Sequence, residues 1–363
     1  DIDKEPDIKP DPENPTMIDV NLNVKELQKN NIQFSAGYSG YEGTFVAFSY
    51  STVNFLGGGE TLDLTLQQGK RVKNYSFGLT EPYIFDRPMT LGFNVFDRKI
   101  NIPYLYSQYS KGISLIYGMR WIEYWRFNLN YSFQKTTLDT PSYEDSTGGY
   151  YYYNPYFYTG TYYVSAIEPV LYRSTIDSPL TPSRGTSYTA SLKYAGSFLG
   201  GQVHLIRPRV DLAHYQPFIS NHVLGFHVEY MIVKGTKGHE VPYWERFFLG
   251  GEQSIRGYDF YTIGPRDKNE ILIGGQKSLV MNFEYIIPFG GPLYGIIFYD
   301  VGNAWLSGQK VSLKDVYTST GMEVRVFVPA LRVPFRLIFA YNNRKIYVDS
   351  SNFAFRFAIG TTF

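Results

Sequence analysis

Arg256 is the residue of this chain whose surroundings most clearly call for ion pairing. It lies between Ile255 and Gly257 in the segment 243–266, which joins two strand-like regions without alternating itself. Loops that lack secondary structure are uncommon beyond about 12–15 residues, and the aromatic residues of this segment argue against disorder. A guanidinium stays charged at any ordinary pH, so a compact loop that buries one needs carboxylate partners. The sequence therefore predicts an ordered loop with a paired arginine.

Two acids further along the chain are the predicted partners of this arginine. Glu284 shares the polar face of its predicted strand with Asn282, and Asp300 lies at the end of the next strand. An arginine fork can bridge two carboxylates through charge-assisted hydrogen bonds. The alternative is an ordinary surface loop with a solvated arginine, and two wall acids that are solvated independently.

Enzyme chemistry finds no support among the motifs. The five histidines are scattered, and His239-Glu240 lacks the second histidine of a zinc metalloprotease helix. The glycine run before Glu60 lacks the Lys-Ser/Thr of a phosphate-binding loop, so it predicts a hairpin turn. The absence of cysteine excludes disulfides and thiolate metal sites. We predict a protein that is not an enzyme, with no catalytic residues, no metal site and no cofactor.

Composition narrows the class of protein. Aromatic residues make up 18% of the 363 residues, yet hydrophobic residues total only 44% and the mean hydropathy is −0.24. No run of 18 apolar residues is present, which excludes membrane-spanning helices but leaves spanning strands open. With 34 basic against 33 acidic residues, there is no electrostatic case for binding nucleic acid.

Alternation of apolar and polar residues repeats along the chain from residue 31 onward. Leu62, Leu64 and Leu66 alternate with polar residues, as do the aromatic residues of 353–363. We predict sixteen strands, near 31–39, 44–52, 60–67, 73–81, 89–97, 112–121, 125–135, 163–174, 186–194, 202–213, 222–231, 277–286, 292–300, 319–328, 334–342 and 353–363. An even number of strands about 9–11 residues long is typical of bacterial membrane barrels, whereas sandwich strands are shorter. The predicted fold class is all-β, a transmembrane antiparallel β-barrel of sixteen strands.

The predicted connections alternate between short turns and long loops, as the two rims of such a barrel require. Short connections are predicted at 122–124, 287–291 and 329–333, and long ones at 98–111, 136–162, 232–276 and 301–318. The polar face carries charges of both signs, which predicts a wet, salt-bridged lumen without a filter of one sign.

The start of the chain differs from the rest. Residues 1–16 are charged and rich in proline, and residues 17–26 then alternate like a strand that is buried on one face. These residues fit either the remnant of a further domain or a disordered leader followed by an edge strand.

Three short motifs give this chain a family resemblance. They are Gly250-Gly251, Ile255-Arg256-Gly257-Tyr258 and Ile263-Gly264-Pro265. At this spacing they resemble the inward-folded sixth loop of BamA-type outer-membrane assembly factors. The resemblance implies that Ile255, Arg256, Gly257 and Tyr258 form the docking motif, and that Glu284 and Asp300 are the wall acids that receive it. It further implies that residues 1–29 are the remnant of a periplasmic POTRA module, with the barrel in residues 30–363 and the inward-folded loop in 232–276.

The seam of the predicted barrel lies between its first and last strands, which must pair so that no edge faces lipid. The resemblance extends to this seam, because a glycine precedes the terminal aromatic by three residues. The implied lateral-gate residues are Asn31, Gln33, Ser35, Gly37, Phe355, Phe357, Ile359, Gly360 and Phe363. Gly360 lies where loss of packing lets a strand kink.

The function that the resemblance implies is the insertion and folding of β-barrel proteins in the outer membrane of a Gram-negative-type bacterium. The implied partners are unfolded outer-membrane barrel substrates, outer-membrane lipids and periplasmic lipoprotein subunits of an assembly complex, with no nucleic acid. One alternative is a polypeptide translocation pore of the two-partner secretion type. A plain porin is another, although a porin would not need the Arg-Gly-Tyr loop.

Overall fold

The computed structural model is almost entirely β-structure. It describes residues 7–10, 18–21, 29–39, 42–103, 105–140, 154–328, 333–347 and 351–359. Among these residues, no helix combines the length and the apolar character needed to cross a bilayer.

Within the described ranges, sixteen long antiparallel strands form the barrel, which confirms the predicted fold class. Their bounds are β3 Asn30–Ser39, β4 Gly43–Val53, β5 Thr61–Gly69, β6 Val72–Glu81, β7 Met89–Ile102, β8 Tyr106–Ile122, β9 Trp125–Asp139, β10 Gly160–Ser174, β11 Gly185–Ala195, β12 Leu205–Pro217, β13 Val223–Ile232, β15 Lys277–Gly290, β16 Leu293–Trp305, β17 Tyr317–Val328, β18 Val333–Asn342 and β19 Phe353–Ile359. A two-residue strand, β14 Lys234–Gly235, pairs with the beginning of β12.

Each barrel strand pairs with its neighbour in the sequence, and the ring is completed by β19 lying next to β3. Side chains alternate along the strands, as the pleat requires. On β15, Val280, Asn282 and Glu284 are buried inside the barrel, whereas Phe283 points outward and is 42% exposed. Large apolar side chains on the outer face would be unfavourable in water, and they suit a wall that faces lipid.

The connection between β7 and β8 differs from the prediction. The sequence predicted a long loop at 98–111, but the two strands continue and leave only residues 103–105 between them. Ile102 and Tyr106 are buried against Tyr243 and Phe248 of the long loop. The strands extend past the apolar band because they pack against the loop inside, a tertiary contact that alternation does not reveal.

The two rims of the barrel differ in the length of their connections. One rim carries short turns, including 123–124 and 291–292, and the other carries the long connections 140–159, 233–276 and 306–316. In membrane barrels of this kind the long loops are extracellular and the short turns periplasmic. The amino-terminal end of β3 lies at the short-turn rim.

A separate two-stranded sheet precedes the barrel. Its strands are β1 Asp7–Pro10 and β2 Ile18–Asn21, which pair antiparallel with Asp7 opposite Asn21. The assignment of residues 1–29 to a POTRA remnant stays a prediction.

Candidate functional site

The loop of residues 233–276 folds into the lumen instead of extending away from the rim. It contains one 3-10 turn, Tyr243–Glu245, and two of its isolated bridges join Phe247 to Gly275 and Leu249 to Ile263. Ile255 and Ile263 have no exposed surface. An irregular backbone is tolerated at this depth because protein surrounds it.

Glycines and local hydrogen bonds shape the tip of the loop. Gly250 and Gly251 have φ values of 105° and 100°, in the left-handed region that glycine enters without strain. The Gly250 amide donates to Ser254 Oγ at 2.9 Å, and the Gly251 amide donates to the Tyr258 carbonyl at 3.1 Å. These turns present residues 255–258 to the wall formed by β15–β18.

Arg256 lies fully buried between three wall carboxylates. Its Nε and Nη2 donate to the two oxygens of Asp300 at 2.8 and 2.7 Å, and its backbone amide donates to the same carboxylate at 3.0 Å. Its Nη1 donates to Glu284 at 2.6 Å and to Glu323 at 3.2 Å. Burial alone would lower the pKa of Arg256, but the three carboxylates raise it well above the ordinary arginine value.

Two wall arginines complete the arrangement. Arg325 donates through Nε to Glu323 at 2.8 Å and through Nη2 to Glu284 at 3.4 Å. Arg336 donates through Nε and Nη2 to the two oxygens of Glu323, at 2.8 and 2.9 Å. We call the set of three acids and three arginines the buried charge cluster; its members are Arg256, Glu284, Asp300, Glu323, Arg325 and Arg336. Its formal charges cancel, which offsets the cost of removing six ions from water.

Neighbouring groups hold the cluster in its geometry. The Arg256 guanidinium lies 3.9 Å from the ring centroid of Phe298, a cation–π contact. Asn282 donates to Asp300 at 2.8 Å and to the Ser254 carbonyl at 2.7 Å, so one amide ties the wall to the loop. His227 lies 2.9 Å from the Asn282 oxygen.

The structure brings Arg256, Glu284 and Asp300 together as the sequence predicted. It adds Glu323 as a third carboxylate, which no sequence pattern had assigned to the loop. The predicted wet lumen is wrong at this point, because the side chains of Arg256, Asp300 and Glu323 have no exposed surface. The signal in the sequence that could have indicated further ion pairs is the spacing of Glu323 and Arg325, which lie two residues apart and so share one face of a strand.

Tyr258 anchors the loop beyond the arginine. Its hydroxyl donates to the Arg344 carbonyl at 2.9 Å and lies 3.2 Å from Asn343 Oδ1. Burial raises the pKa of Tyr258 to about 12, so the phenol remains protonated and able to donate. The ring meets Tyr317 edge-on at 5.6 Å.

Gly257 touches the wall so closely that we expect a larger residue to displace the loop. A Cβ here would lie 2.5 Å from Asn342 Oδ1 and 2.6 Å from the Ala340 Cβ, and the φ of +90° disfavours any side chain. We expect Gly257→Ala to destabilise docking by about 1–3 kcal/mol, through clash and backbone strain together. Limited proteolysis of the loop in detergent measures the effect as a faster cleavage rate.

Gly238→Ala is the matched control for that prediction. Gly238 lies in the same loop at φ +80°, and a Cβ added to it would have nothing within 4 Å. The alanine there carries the same backbone strain without the wall contact. If both variants are cleaved at the same rate, close approach of Gly257 to the wall does not contribute to docking.

A second ion-pair site holds the other end of the loop. Glu245 is buried and accepts from Lys193 Nζ at 2.7 Å and from Arg207 Nη1 at 2.8 Å. Burial would raise the pKa of Glu245, but these two cations lower it below the ordinary value. The loop is thus fixed to β11 and β12 as well as to β15–β18.

The predicted gate residues fall on both faces of the seam strands. Gln33, Ser35 and Gly37 share one partly covered face of β3, whereas Phe355 points outward from β19 and is 58% exposed. The remaining members lie as follows: Asn31 is exposed on β3, Phe357 and Ile359 are half-buried on β19, and Gly360 and Phe363 are outside the described residues.

One side chain of β19 reaches the docked loop. Arg356 Nη2 lies 2.6 Å from Asp259 Oδ1 and 3.3 Å from the Gly257 carbonyl. This contact links the last strand of the barrel to the residues that follow Arg256. Alternation along the last strand indicates that Arg356 faces the lumen, but no sequence pattern had assigned it to the loop.

Comparison with known proteins places the chain in a family. The model of the Omp85 superfamily domain matches residues 54–363, which include the loop, the buried charge cluster and β19. The chain belongs to the Omp85 superfamily. The family match covers all the barrel strands from β5 onward.

Individual relatives agree with this assignment of the Omp85 chain. It is 28% identical over 320 residues to the outer membrane protein assembly factor BamA of Neorickettsia risticii, covering 84% of this chain and 41% of that protein. The crystal structure of Haemophilus ducreyi BamA lacking POTRA domains 1–3 aligns with a TM-score of 0.78 at 19% identity, covering 99% of this chain and 74% of that one.

A further solved structure shares the fold of this Omp85 barrel. CdiB from Acinetobacter baumannii aligns with a TM-score of 0.59 at 13% identity, over 98% of this chain and 64% of that one. The Omp85 chain spans less than half the length of the curated BamA relatives that it matches, 41%, 21% and 49% of them.

Proposed function

We propose that this chain is the membrane-embedded part of an outer-membrane assembly factor, which inserts and folds β-barrel proteins through a lateral gate between β3 and β19. The observation that carries the proposal is the uneven attachment of the loop. A buried and neutral charge cluster fixes it to β15–β18, whereas Arg356 of β19 contacts it through the solvent-accessible pair with Asp259 and through the Gly257 carbonyl. The loop is thus held by buried ion pairs at β15–β18 and by a partly exposed one at β19, the last strand of the seam.

A seam that can open suits templated strand addition. Opening it exposes main-chain donors and acceptors on two strand edges, which lipid cannot satisfy. An incoming substrate strand can satisfy them by β-augmentation. In the proposed mechanism the backbone of the open seam acts as a template for the substrate strand, and no catalytic group takes part.

The proposed location and partners follow from the same reasoning. The barrel lies in the outer membrane, with its short turns toward the periplasm and its lipid-facing wall in contact with outer-membrane lipids. Its substrates are unfolded outer-membrane barrel proteins. Periplasmic lipoprotein subunits and the POTRA module implied by residues 1–29 approach from the short-turn rim, where β3 begins. The name of the BamA relative, an outer membrane protein assembly factor, supports this assignment.

Reconstitution tests the proposal. The full-length protein that contains these residues is placed in phospholipid vesicles, and a urea-unfolded model barrel is added outside. We expect the heat-resistant, folded form of the substrate to appear faster than in empty vesicles. An unchanged folding rate would contradict the insertase function.

The same vesicles distinguish the translocation alternative. A translocation pore would deliver a soluble polypeptide into the vesicle lumen, where added protease cannot cut it. An insertase leaves the substrate embedded in the bilayer, with its loops accessible. Protection of a soluble substrate, without insertion of a barrel, would favour secretion instead.

Loss of the Arg356 contact should ease opening of the seam. Both partners are partly exposed, so their ion pair is worth only about 0.2–1 kcal/mol, and we expect Arg356→Gln to raise the open population about 1.4- to fivefold. The measurement is the rate at which a maleimide reagent labels a single cysteine introduced at Ser35, in a chain of 363 residues that otherwise has no cysteine.

Arg344→Gln is the control for this measurement. Arg344 forms a comparable exposed ion pair, at 2.7 Å, with Asp315. Asp315 lies in the loop between β16 and β17. We expect its loss to leave labelling at position 35 unchanged. If both substitutions accelerate labelling equally, the contact between β19 and the loop has no special role in the seam.

A further inference from the structure

The outer wall of the barrel carries a cluster of lysines on four consecutive strands. Outward-facing residues of β7 run from Leu91, Phe93 and Val95 to Asp97 and Lys99, toward the long-loop rim. The change from apolar to charged residues occurs at the same level on the neighbouring strands. We call these side chains the outer lysine cluster; its members are Lys73 on β6, Lys99 on β7, Lys111 on β8 and Lys135 on β9.

The strand registers bring these lysines next to one another. Lys73 lies directly opposite Lys99, and Lys111 lies directly opposite Lys135. Asp97 lies opposite Lys111, so the two lysine pairs form adjoining rows. Side chains on the same face of successive rows are about 6–7 Å apart along a strand. The four ammonium groups thus occupy one patch instead of a ring around the barrel.

One carboxylate pairs with this patch among the described residues. Asp97 lies 3.0 Å from Lys73 Nζ and 3.2 Å from Lys111 Nζ. Lys99 lies over the ring of Tyr109, 5.0 Å from its centroid. Four ammonium groups against one carboxylate leave the patch strongly positive. Like charges directly opposite each other are destabilising, so this arrangement has a cost that an anionic ligand would remove.

The strands on either side lack this charge at the same level. On β5 the corresponding outward residue is Gln68, which lies opposite Lys73, and on β10 it is Tyr163, which lies opposite Lys135. Below the cluster the wall is apolar, with Ile113 and Phe133 each more than 40% exposed. The cluster therefore begins where the lipid-facing band ends.

We propose that the outer lysine cluster binds the phosphate of an anionic lipid headgroup in the outer leaflet. The inference uses the membrane orientation given under the proposed function, in which the long-loop rim faces outward. Headgroup phosphates lie just beyond the hydrocarbon region, at the level where the lysines follow the apolar band. Ammonium groups bind phosphates as point charges, and long lysine stems pack on the apolar wall while the charged ends reach the headgroup.

Lipid selectivity measured on the purified full-length protein tests this site without any assembly assay. The protein is reconstituted in phosphatidylcholine, and the association of spin-labelled phosphatidic acid is compared with that of spin-labelled phosphatidylcholine. We expect the wild type to favour phosphatidic acid. We expect the variant K73Q/K99Q/K111Q/K135Q to lose most of that preference, about tenfold or more, because each basic residue adds to attraction for an anionic lipid.

Matched variants separate the cluster from charge in general. The control K237Q/K268Q/K310Q/K314Q removes four exposed lysines from long-loop connections, and we expect it to keep the wild-type preference. The variant with arginine at all four cluster positions should also keep it, which covers the case in which the glutamine variant does not fold. Asp97→Asn should strengthen the preference, because it removes the one paired carboxylate.

Three outcomes among the variants would overturn the proposal. They are equal preference in the cluster and control variants, loss of preference in the arginine variant, and a weaker preference in Asp97→Asn. Inorganic phosphate at millimolar concentration distinguishes a lipid site from a site for the free ion. Full displacement of the labelled lipid by inorganic phosphate would mean that the patch recognises the phosphate ion itself and is not a lipid-specific site. If insertion activity fails while lipid selectivity persists, only the proposed function is at fault.

Discussion

Joining β3 to β19 by a disulfide should abolish substrate insertion and leave the barrel folded. Ser35→Cys is combined in turn with Ala354→Cys and Ala358→Cys, since all three positions share the inner face of the seam strands. A bond across the seam prevents the two edges from separating, so no substrate strand can pair with them. We expect oxidised protein to fold substrate no faster than empty vesicles do, and reduction to restore the rate. The chain has no native cysteine to interfere.

A disulfide between two strands that stay paired provides the control. Ser35 lies directly opposite Ala47 in the register of β3 and β4. The pair Ser35→Cys and Ala47→Cys is within the Cα separation that a disulfide accepts, because opposed antiparallel residues are about 4.5–5.5 Å apart. This bond should leave insertion unchanged. Insertion at the wild-type rate by the seam-locked protein would show that gate opening is not the mechanism.

Arg256→Ala should release the loop from the wall. The substitution leaves Glu284, Asp300 and Glu323 with two arginines, so one negative charge stays buried without compensation. Breaking a buried ion pair in this way costs about 3–5 kcal/mol. We expect the whole of this cost here, because the Arg256 side chain has no exposed surface and water does not screen its charge. We expect the loop 233–276 to be cleaved by protease far faster than in the wild type, and the heat-resistant folded band to be lost at lower temperature.

Arg266→Ala is the control within the same loop. Among the described residues, the hydrogen bonds of the Arg266 side chain go only to loop carbonyls. These are the carbonyls of Glu270 at 2.8 Å and Thr262 at 3.1 Å. Its loss should leave docking to the wall intact. A double variant, Arg256→Met with Asp300→Asn, restores charge balance and should recover part of the stability. Equal cleavage of the wild type and Arg256→Ala would reject the docking hypothesis.

Alternation predicted most of the barrel because the pleat imposes a period of two wherever one face meets lipid and the other the lumen. The same period placed Glu284 and Asp300 on the inner face, where the structure brings them to Arg256. It could not pair Glu323 with Arg256, because strand registers decide which inner residues are neighbours, and registers leave little trace in one sequence.

The missed features share a physical cause. The extension of β7 and β8 follows from packing against Tyr243 and Phe248, and the dryness of the buried charge cluster follows from the loop that covers it. Both are contacts between segments far apart in the chain. The outer lysine cluster lies at the end of the apolar face of four strands, and it becomes visible as a patch only when these strands are paired.

The buried charge cluster also has a consequence for how the protein itself folds. Its charges come from the loop and from β15, β16, β17 and β18, and Arg336 on β18 is the last of them along the chain. Before β18 is paired, a docked loop would bury three acids against two arginines, at the cost of an unpaired ion. We therefore expect the loop to enter the lumen only after β18 has paired, as a late folding event.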